Sequence, residues 1–328
     1  MKIILLLSRT SYRKNNLNNF SNLLVLNKYM VITFYGPLYF LGLLLKKTKL
    51  FKVISIDADP ILEKNEGINF WLTGPIHKIS KSAQHLKNNF VNMKSVFHNH
   101  DRILQIYPII KKNNISNSKS KIIYLSNCKL RKPEISLPII KQFKKKFNDN
   151  LLEFDNKDFW KLPQLQNYND DDKYRIYRDL KLNQRVDLIK YIKKNIPDKI
   201  LVYGNDWAEH FENYNKPITK KSEIKKLYNG NICLDFGSSS GSLTLYPRSI
   251  EIIECGGFLL QLKQKDSKLI FDDYENKFTF STMEELKRKL EYLLGNKNLL
   301  NDGLKILKDK FSNSKQLIEN QLDKIFNY

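Results

Sequence analysis

Short apolar runs recur along this chain, separated by longer amphipathic and lysine-rich stretches, and that alternation restricts the fold more than any other feature. KIILLLS (2–8), MVITFYG (30–36), FKVISIDA (51–58), KIIYLSN (121–127), KILVYGN (199–205), NICLDFG (231–237) and GFLLQLK (257–263) each have the length of a buried strand. RVDLIKYIKKN, SEIKKLYN, MEELKRKLEYLLGN and SKQLIENQLDKIFN between and after them have helical spacing. Strands that alternate with helices predict βαβ units around a mostly parallel sheet, an α/β fold. No repeat of fixed period runs through the chain.

The 328 residues exceed one typical domain of about 100–150 residues, which predicts two. IIKKNNISNSKSK (109–121) is polar, rich in serine and asparagine, and reads as the linker. This sets a first domain at 1–113 and a second at 119–311. The stretch 145–184, rich in Asn, Asp and Tyr with weak periodicity, reads as an insertion or long loop, and a helix at 312–328 is expected to pack back on the first domain.

A net charge of +22 implies attraction to polyanions such as anionic lipid, phosphorylated substrates or nucleic acid. Arginine-rich blocks and aromatic interleaving are missing, so nucleic acid is not the expected partner. The three cysteines form no CxxC, which supports neither a zinc site nor a disulfide framework and fits a cytoplasmic setting. MKIILLLSR is too short for a signal peptide. MVITFYGPLYFLGLLLKK (30–47) falls short of the ~20 residues of a membrane span and is broken by Gly36 and Pro37. A strand, a turn and a short buried helix account for it; an exposed apolar helix ending in Lys46 and Lys47, docked on the inner face of an anionic membrane, is the alternative.

ICLDFGSSSGSLTLYP (232–247) places an apolar strand before an acid and two glycines, as a cofactor loop requires. A methyltransferase loop for S-adenosylmethionine is one reading. Ser239 occupies the middle glycine position of GxGxG, however, and fewer than 90 residues remain after Gly241 to build the rest of such a sheet. In the segment that follows, Pro247 suits a helix start, Arg248 comes next, and Gly256 and Gly257 end the helix before a buried strand.

The run LYNGNICLDFGSSSGSLTLYPRSIEIIECGGFLL, followed by MEELKRKLEYLLGNKNLL, resembles the C-terminal domain of GT-B glycosyltransferases, nearest to the CgeB-like group with its R-x-x-E-x-x-x-x-G-G pattern. RVDLIKYIKKNIPDKILVYGNDW resembles that group's upstream helix and strand. The resemblance implies two Rossmann-like domains with a donor-binding cleft between them. It further implies metal-independent transfer of a sugar, of the hexosyl type, from a UDP- or GDP-linked donor to a glycan, lipid-linked or protein acceptor, with no cofactor. Arg248 at a helix N-terminus suits the donor diphosphate, because charge-assisted hydrogen bonds stabilise the leaving group. The resemblance puts Glu251 on the donor ribose. Gly237, Ser239, Ser240 and Gly241 form the candidate phosphate or sugar loop. Ser126 and Asn127 after one strand, and Tyr203 and Gly204 at the end of another, occupy carboxyl ends where ligands bind in such sheets. Leu243 stands where retaining members carry the first glutamate of E-x7-E, which removes the usual argument for retention.

An inverting reaction needs a general base, for which Asp57, Asp59 and His98 are the candidates. HNHD (98–101) does not make a metal site, since ligands at i and i+2 face different sides of a helix. Three other readings are a fucosyltransferase-like GT-B enzyme, from YLSNCKLR (124–131), the methyltransferase, and a non-catalytic glycan- or nucleic-acid-binding protein.

Overall fold

The computed structural model describes residues 2–8, 29–35, 41, 44, 54–57, 68–71, 89–91, 102–110, 119–130, 133–149, 162–237, 244–264 and 266–326. The chain divides into two units, one of residues 1–109, 245–247 and 311–328, the other of residues 110–244 and 248–310.

The first unit holds a parallel sheet of β1 (Lys2–Ser8), β2 (Tyr29–Tyr35), β3 (Ile54–Asp57), β4 (Ile68–Trp71), β5 (Asn89–Val91) and β6 (Arg102–Leu104), in the order β2-β1-β3-β4-β5-β6. The order reverses between β1 and β3, which leaves Asp57 at the carboxyl end of a strand beside the switch point. INFW, NFV and RIL, which form β4 to β6, escaped the apolar-run criterion because each has only three or four residues.

The second unit starts with β7 (Ile122–Leu125), α1 (Pro133–Asp149), α2 (Asp170–Asn195) and β8 (Ile200–Tyr203). It continues with α3 (Lys221–Tyr228), β9 (Ile232–Asp235), α4 (Pro247–Glu254) and β10 (Phe258–Leu262), then α5 (Ser267–Phe271), α6 (Glu275–Phe278), β11 (Thr279–Phe280), α7 (Met283–Gly295) and α8 (Lys297–Lys310). All strands are parallel in the order β11-β10-β9-β7-β8. Every residue of β9 and β10 is buried, as expected of central strands covered on both faces.

The expected loop at 145–184 is corrected here, because α2 begins at Asp170 and runs for 26 residues. Asn169 caps it by accepting from the Asp172 amide at 2.9 Å, and Asp172 complements the positive end of the helix dipole. Its periodicity is faint in the sequence because the helix is covered on several sides. Ile176, Tyr177, Leu180, Leu182, Val186, Leu188, Ile189 and Ile192 are all buried, so no clean polar stripe is left. Ile176, Tyr177 and Leu180 pack on Ile139 and Ile140 of α1, and the Ser136 hydroxyl donates to Asp179 at 2.7 Å inside that contact.

The chain ends with α9 (Ser314–Phe326), which returns to the first unit and packs on β6. The Gln321 side chain clips the backbone just past that edge strand. Its oxygen accepts from the Gln105 amide at 2.9 Å and its nitrogen donates to the Gln105 carbonyl at 3.0 Å. Both backbone groups of Gln105 are thus satisfied without another strand.

Candidate functional site

In the second unit β7 leads to β8 on one side of the sheet and β9 leads to β10 on the other, so the strand order reverses between β7 and β9. Parallel α/β sheets bind ligands beyond the carboxyl ends of strands at such a point. The loops that leave β7, β8 and β9 meet there.

Ser126 and Asn127 leave β7; Tyr203 closes β8 and Gly204 follows it. The two loops are hydrogen-bonded together, with the Ser126 amide on the Tyr203 carbonyl at 2.9 Å and the Asn205 amide on Asn127 Oδ1 at 2.8 Å. Gly204 has φ +144°, and a Cβ there would lie 2.0 Å from the Ser126 carbonyl oxygen, so only glycine admits this approach. Trp207 Nε1 donates to the same oxygen at 2.5 Å, and the buried Tyr124 ring stacks on Phe236 with centroids 4.6 Å apart. On the β9 side, Gly237 takes φ +76° and its amide donates to Asp235 Oδ1 at 3.0 Å.

One side chain spans the switch point. Arg185, on α2, is buried; its Nη1 donates to the Ser126 hydroxyl at 3.3 Å and its Nη2 to the Gly237 carbonyl at 2.5 Å. No carboxylate pairs with it among the described residues. A buried guanidinium held only by neutral oxygens retains its full charge and fork of donors, which suits an anion. Lys181 lies one turn earlier on the same face of α2, and burial, with Arg185 beside it, pulls its ammonium down to about 8.

The joint before α4 is tied down locally. The Thr244 amide and hydroxyl both donate to Asp266 Oδ1, at 2.9 and 2.7 Å, and the Ser249 hydroxyl donates to the Thr244 carbonyl at 2.9 Å. Arg248 and Glu251 follow on α4, both half-buried. Burial pushes the Glu251 carboxyl up, and Arg248 and then Lys221 draw it back. The buried Tyr228 hydroxyl lies in the field of both Arg248 and Glu251 and has no hydrogen-bond partner among the described residues.

The structure therefore brings Ser126, Asn127, Tyr203, Gly204 and Gly237 to one switch point, and sets Arg248 and Glu251 on one helix of the same unit. Ser239, Ser240 and Gly241 lie outside the described residues, as do Asp59 and His98. Asp57 ends β3 in the other unit. Arg185 and Lys181 are not among the candidates read from the sequence, although their spacing of four on a helix ahead of a YG-ended strand was the available signal. No group of three His, Cys, Asp or Glu among the described residues is placed to hold a metal ion.

A family model described as glycosyl transferase-like matches residues 183–305, a span that includes Arg185, Tyr203, Gly204, Gly237, Arg248 and Glu251. No curated protein matches the chain. Among solved structures, a DNA-modifying beta-glucosyltransferase is similar over 99% of this chain and 100% of its own, with TM-score 0.53 at 10% identity. The chain has the GT-B fold. T4 phage BGT in complex with UDP and Mn2+ is similar over 99% of this chain and 98% of its own, with TM-score 0.50 at 12% identity. The GT-B architecture implied by the R-x-x-E-x-x-x-x-G-G segment is thus observed, and the glycosyl transferase-like match lies where that resemblance was read.

Lys181 makes the stability of the second unit depend on pH. Its folded value near 8 lies below the ordinary 10.5. Between these values the unfolded chain binds more protons than the native one, so stability rises with pH across roughly 8 to 10.5. Thermal melts of the wild type should show that rise and Lys181→Met should lose it. An anion bound beside Lys181 raises its proton affinity, so binding of a diphosphate should weaken as pH climbs past 8.

Proposed function

We propose that this GT-B protein is a glycosyltransferase that moves a sugar from a UDP- or GDP-linked donor to a glycan, lipid-linked or protein acceptor. The observation that carries the reading is Arg185, a buried cation without a carboxylate partner among the described residues, at the switch point of the second sheet. In this reading Arg185, Lys181 and Arg248 neutralise the donor diphosphate, which makes the reaction metal-independent. As the sugar leaves, charge accumulates on the diphosphate, and cations already fixed by packing stabilise it without reorganising. Gly237 borders the same anion, and Ser239, Ser240 and Gly241 are the further candidates for it from the sequence.

Glu251 accepts from the donor ribose. Its raised proton affinity suits a half-buried carboxylate that gains hydrogen-bond donors when the nucleotide arrives. The ribose edge would also give the buried Tyr228 hydroxyl a partner, relieving a cost of about 1–3 kcal/mol. Asp57, at the switch point of the first sheet, is the candidate general base, with Asp59 and His98 as the other candidates from the sequence.

Calorimetric titration with UDP, GDP, CMP and S-adenosylmethionine tests the reading. The solved beta-glucosyltransferase takes uridine diphosphoglucose as substrate, which makes UDP the first ligand to try. Saturable UDP or GDP binding, weakened roughly 10-fold or more in Glu251→Ala, is the expected result. Binding of S-adenosylmethionine alone would overturn it and restore the methyltransferase.

A further inference from the structure

Tyr124, the third residue of β7, buries its side chain completely, and its hydroxyl has no hydrogen-bond partner among the described residues. A buried donor left without a partner destabilises a folded chain, so such a group points to a bond that forms in another state of the site. The ring is held in place. It stacks on Phe236 with centroids 4.6 Å apart and meets the Trp207 ring nearly at right angles at 5.9 Å, and Trp207 is itself bonded to the Ser126 carbonyl. Tyr124 and Ser126, two residues apart, share one face of the sheet. Burial raises the proton affinity of the phenol, so it stays an O–H donor; Arg185 and then Arg248 draw it back, as does the Ser126 hydroxyl, which stops short of a formed hydrogen bond with it. Ser126 Oγ is occupied instead by Arg185 Nη1, which donates to it at 3.3 Å, slightly longer than usual, while the oxygen's own proton goes to the Asn127 carbonyl at 3.2 Å. An acceptor with two lone pairs thus holds one long contact, with an idle donor beside it.

We propose that Tyr124 is a positioning residue for Arg185: its hydroxyl takes over Ser126 Oγ when Arg185 Nη1 turns to a bound diphosphate. The hydrogen bonds favour the exchange. Before it, Arg185 holds Ser126 and the phenol has no acceptor; after it, Arg185 holds the ligand and the phenol holds Ser126, so none of the three groups is left bare. The bond from Nη2 to the Gly237 carbonyl remains, and it keeps the guanidinium at the switch point while Nη1 changes partner. This role rests on the reading of the site as the donor diphosphate site, to which it adds the group that lets the cation go.

Calorimetric titration of Tyr124→Phe with UDP and with inorganic pyrophosphate, beside thermal melts without ligand, tests the exchange. Phenylalanine keeps the ring and its stacking and removes only the unpartnered hydroxyl, so the free variant should melt no lower than the wild type. UDP and pyrophosphate should each bind it roughly 10-fold more weakly, the loss of about one hydrogen bond. In an Arg185→Ala background the same change should have no further effect on either ligand, because no guanidinium has to be released; a merely structural hydroxyl would act alike in both backgrounds. A free Tyr124→Phe that melts several degrees lower would mean that the hydroxyl is bonded at rest, and would overturn the proposal. Wild-type affinity for UDP and pyrophosphate in Tyr124→Phe would also overturn it and leave the donor site standing, whereas a wild type that binds neither ligand would overturn both together.

Discussion

Arg185→Ala should bind UDP roughly 100-fold more weakly than the wild type while remaining folded. Two charge-assisted contacts to the diphosphate would be lost, each worth ~1.5–3 kcal/mol, and the oxygens of Ser126 and Gly237 that now hold the guanidinium would turn to water. Arg185→Lys separates charge from geometry. An ammonium keeps the charge but cannot donate along two fixed directions to oxygens on different loops, so its affinity should resemble that of the alanine variant more than the wild type. Wild-type affinity in Arg185→Ala, measured by titration with UDP, would mean that the diphosphate lies elsewhere. If affinity survives only in Arg185→Lys, Arg185 acts as a point charge and the bridge between the two loops is incidental.

Gly204→Ala is expected to be the most damaging small change in the second unit. Its Cβ would stand 2.0 Å from the Ser126 oxygen and 2.6 Å from the Ser126 carbonyl carbon, both backbone atoms, at φ +144°. Neither atom can retreat, because the Ser126 amide is bonded to Tyr203 and its carbonyl to Trp207. The loops after β7 and β8 must part, at a cost of about 3 kcal/mol or more, which for a unit of this size lowers the melting temperature by roughly 6–12 °C. Gly295→Ala is the control: a Cβ there meets nothing within 4 Å, and its melt should match the wild type. Donor binding should fall with Gly204→Ala as well, since Ser126 helps to orient Arg185. A melting temperature equal to the control's would mean that the loops can separate at little cost.

The parts of this protein legible in its sequence are those where one local rule dominates. NICLDFG and GFLLQLK are continuous apolar runs because their strands are covered on both faces, and Pro247 with Gly256 and Gly257 punctuates α4 at both ends. Residues whose meaning depends on distant partners were harder to see. Arg185 looks like any arginine on a lysine-rich helix until Ser126 and Gly237, 59 and 52 positions away, close around it. The first half of α2 was hidden for the opposite reason, since burial on many sides erases the period by which a helix is recognised. β4 to β6 are too short to carry a pattern, and only their pairing in the parallel sheet makes them strands.

The clip between Gln321 and Gln105 joins residues 216 positions apart, and the whole second unit is threaded between them. A ribosome therefore finishes the second unit before it makes the helix that covers the last strand of the first. Until then the amide and carbonyl of Gln105 lack this partner, so a segment made after the second unit completes the first.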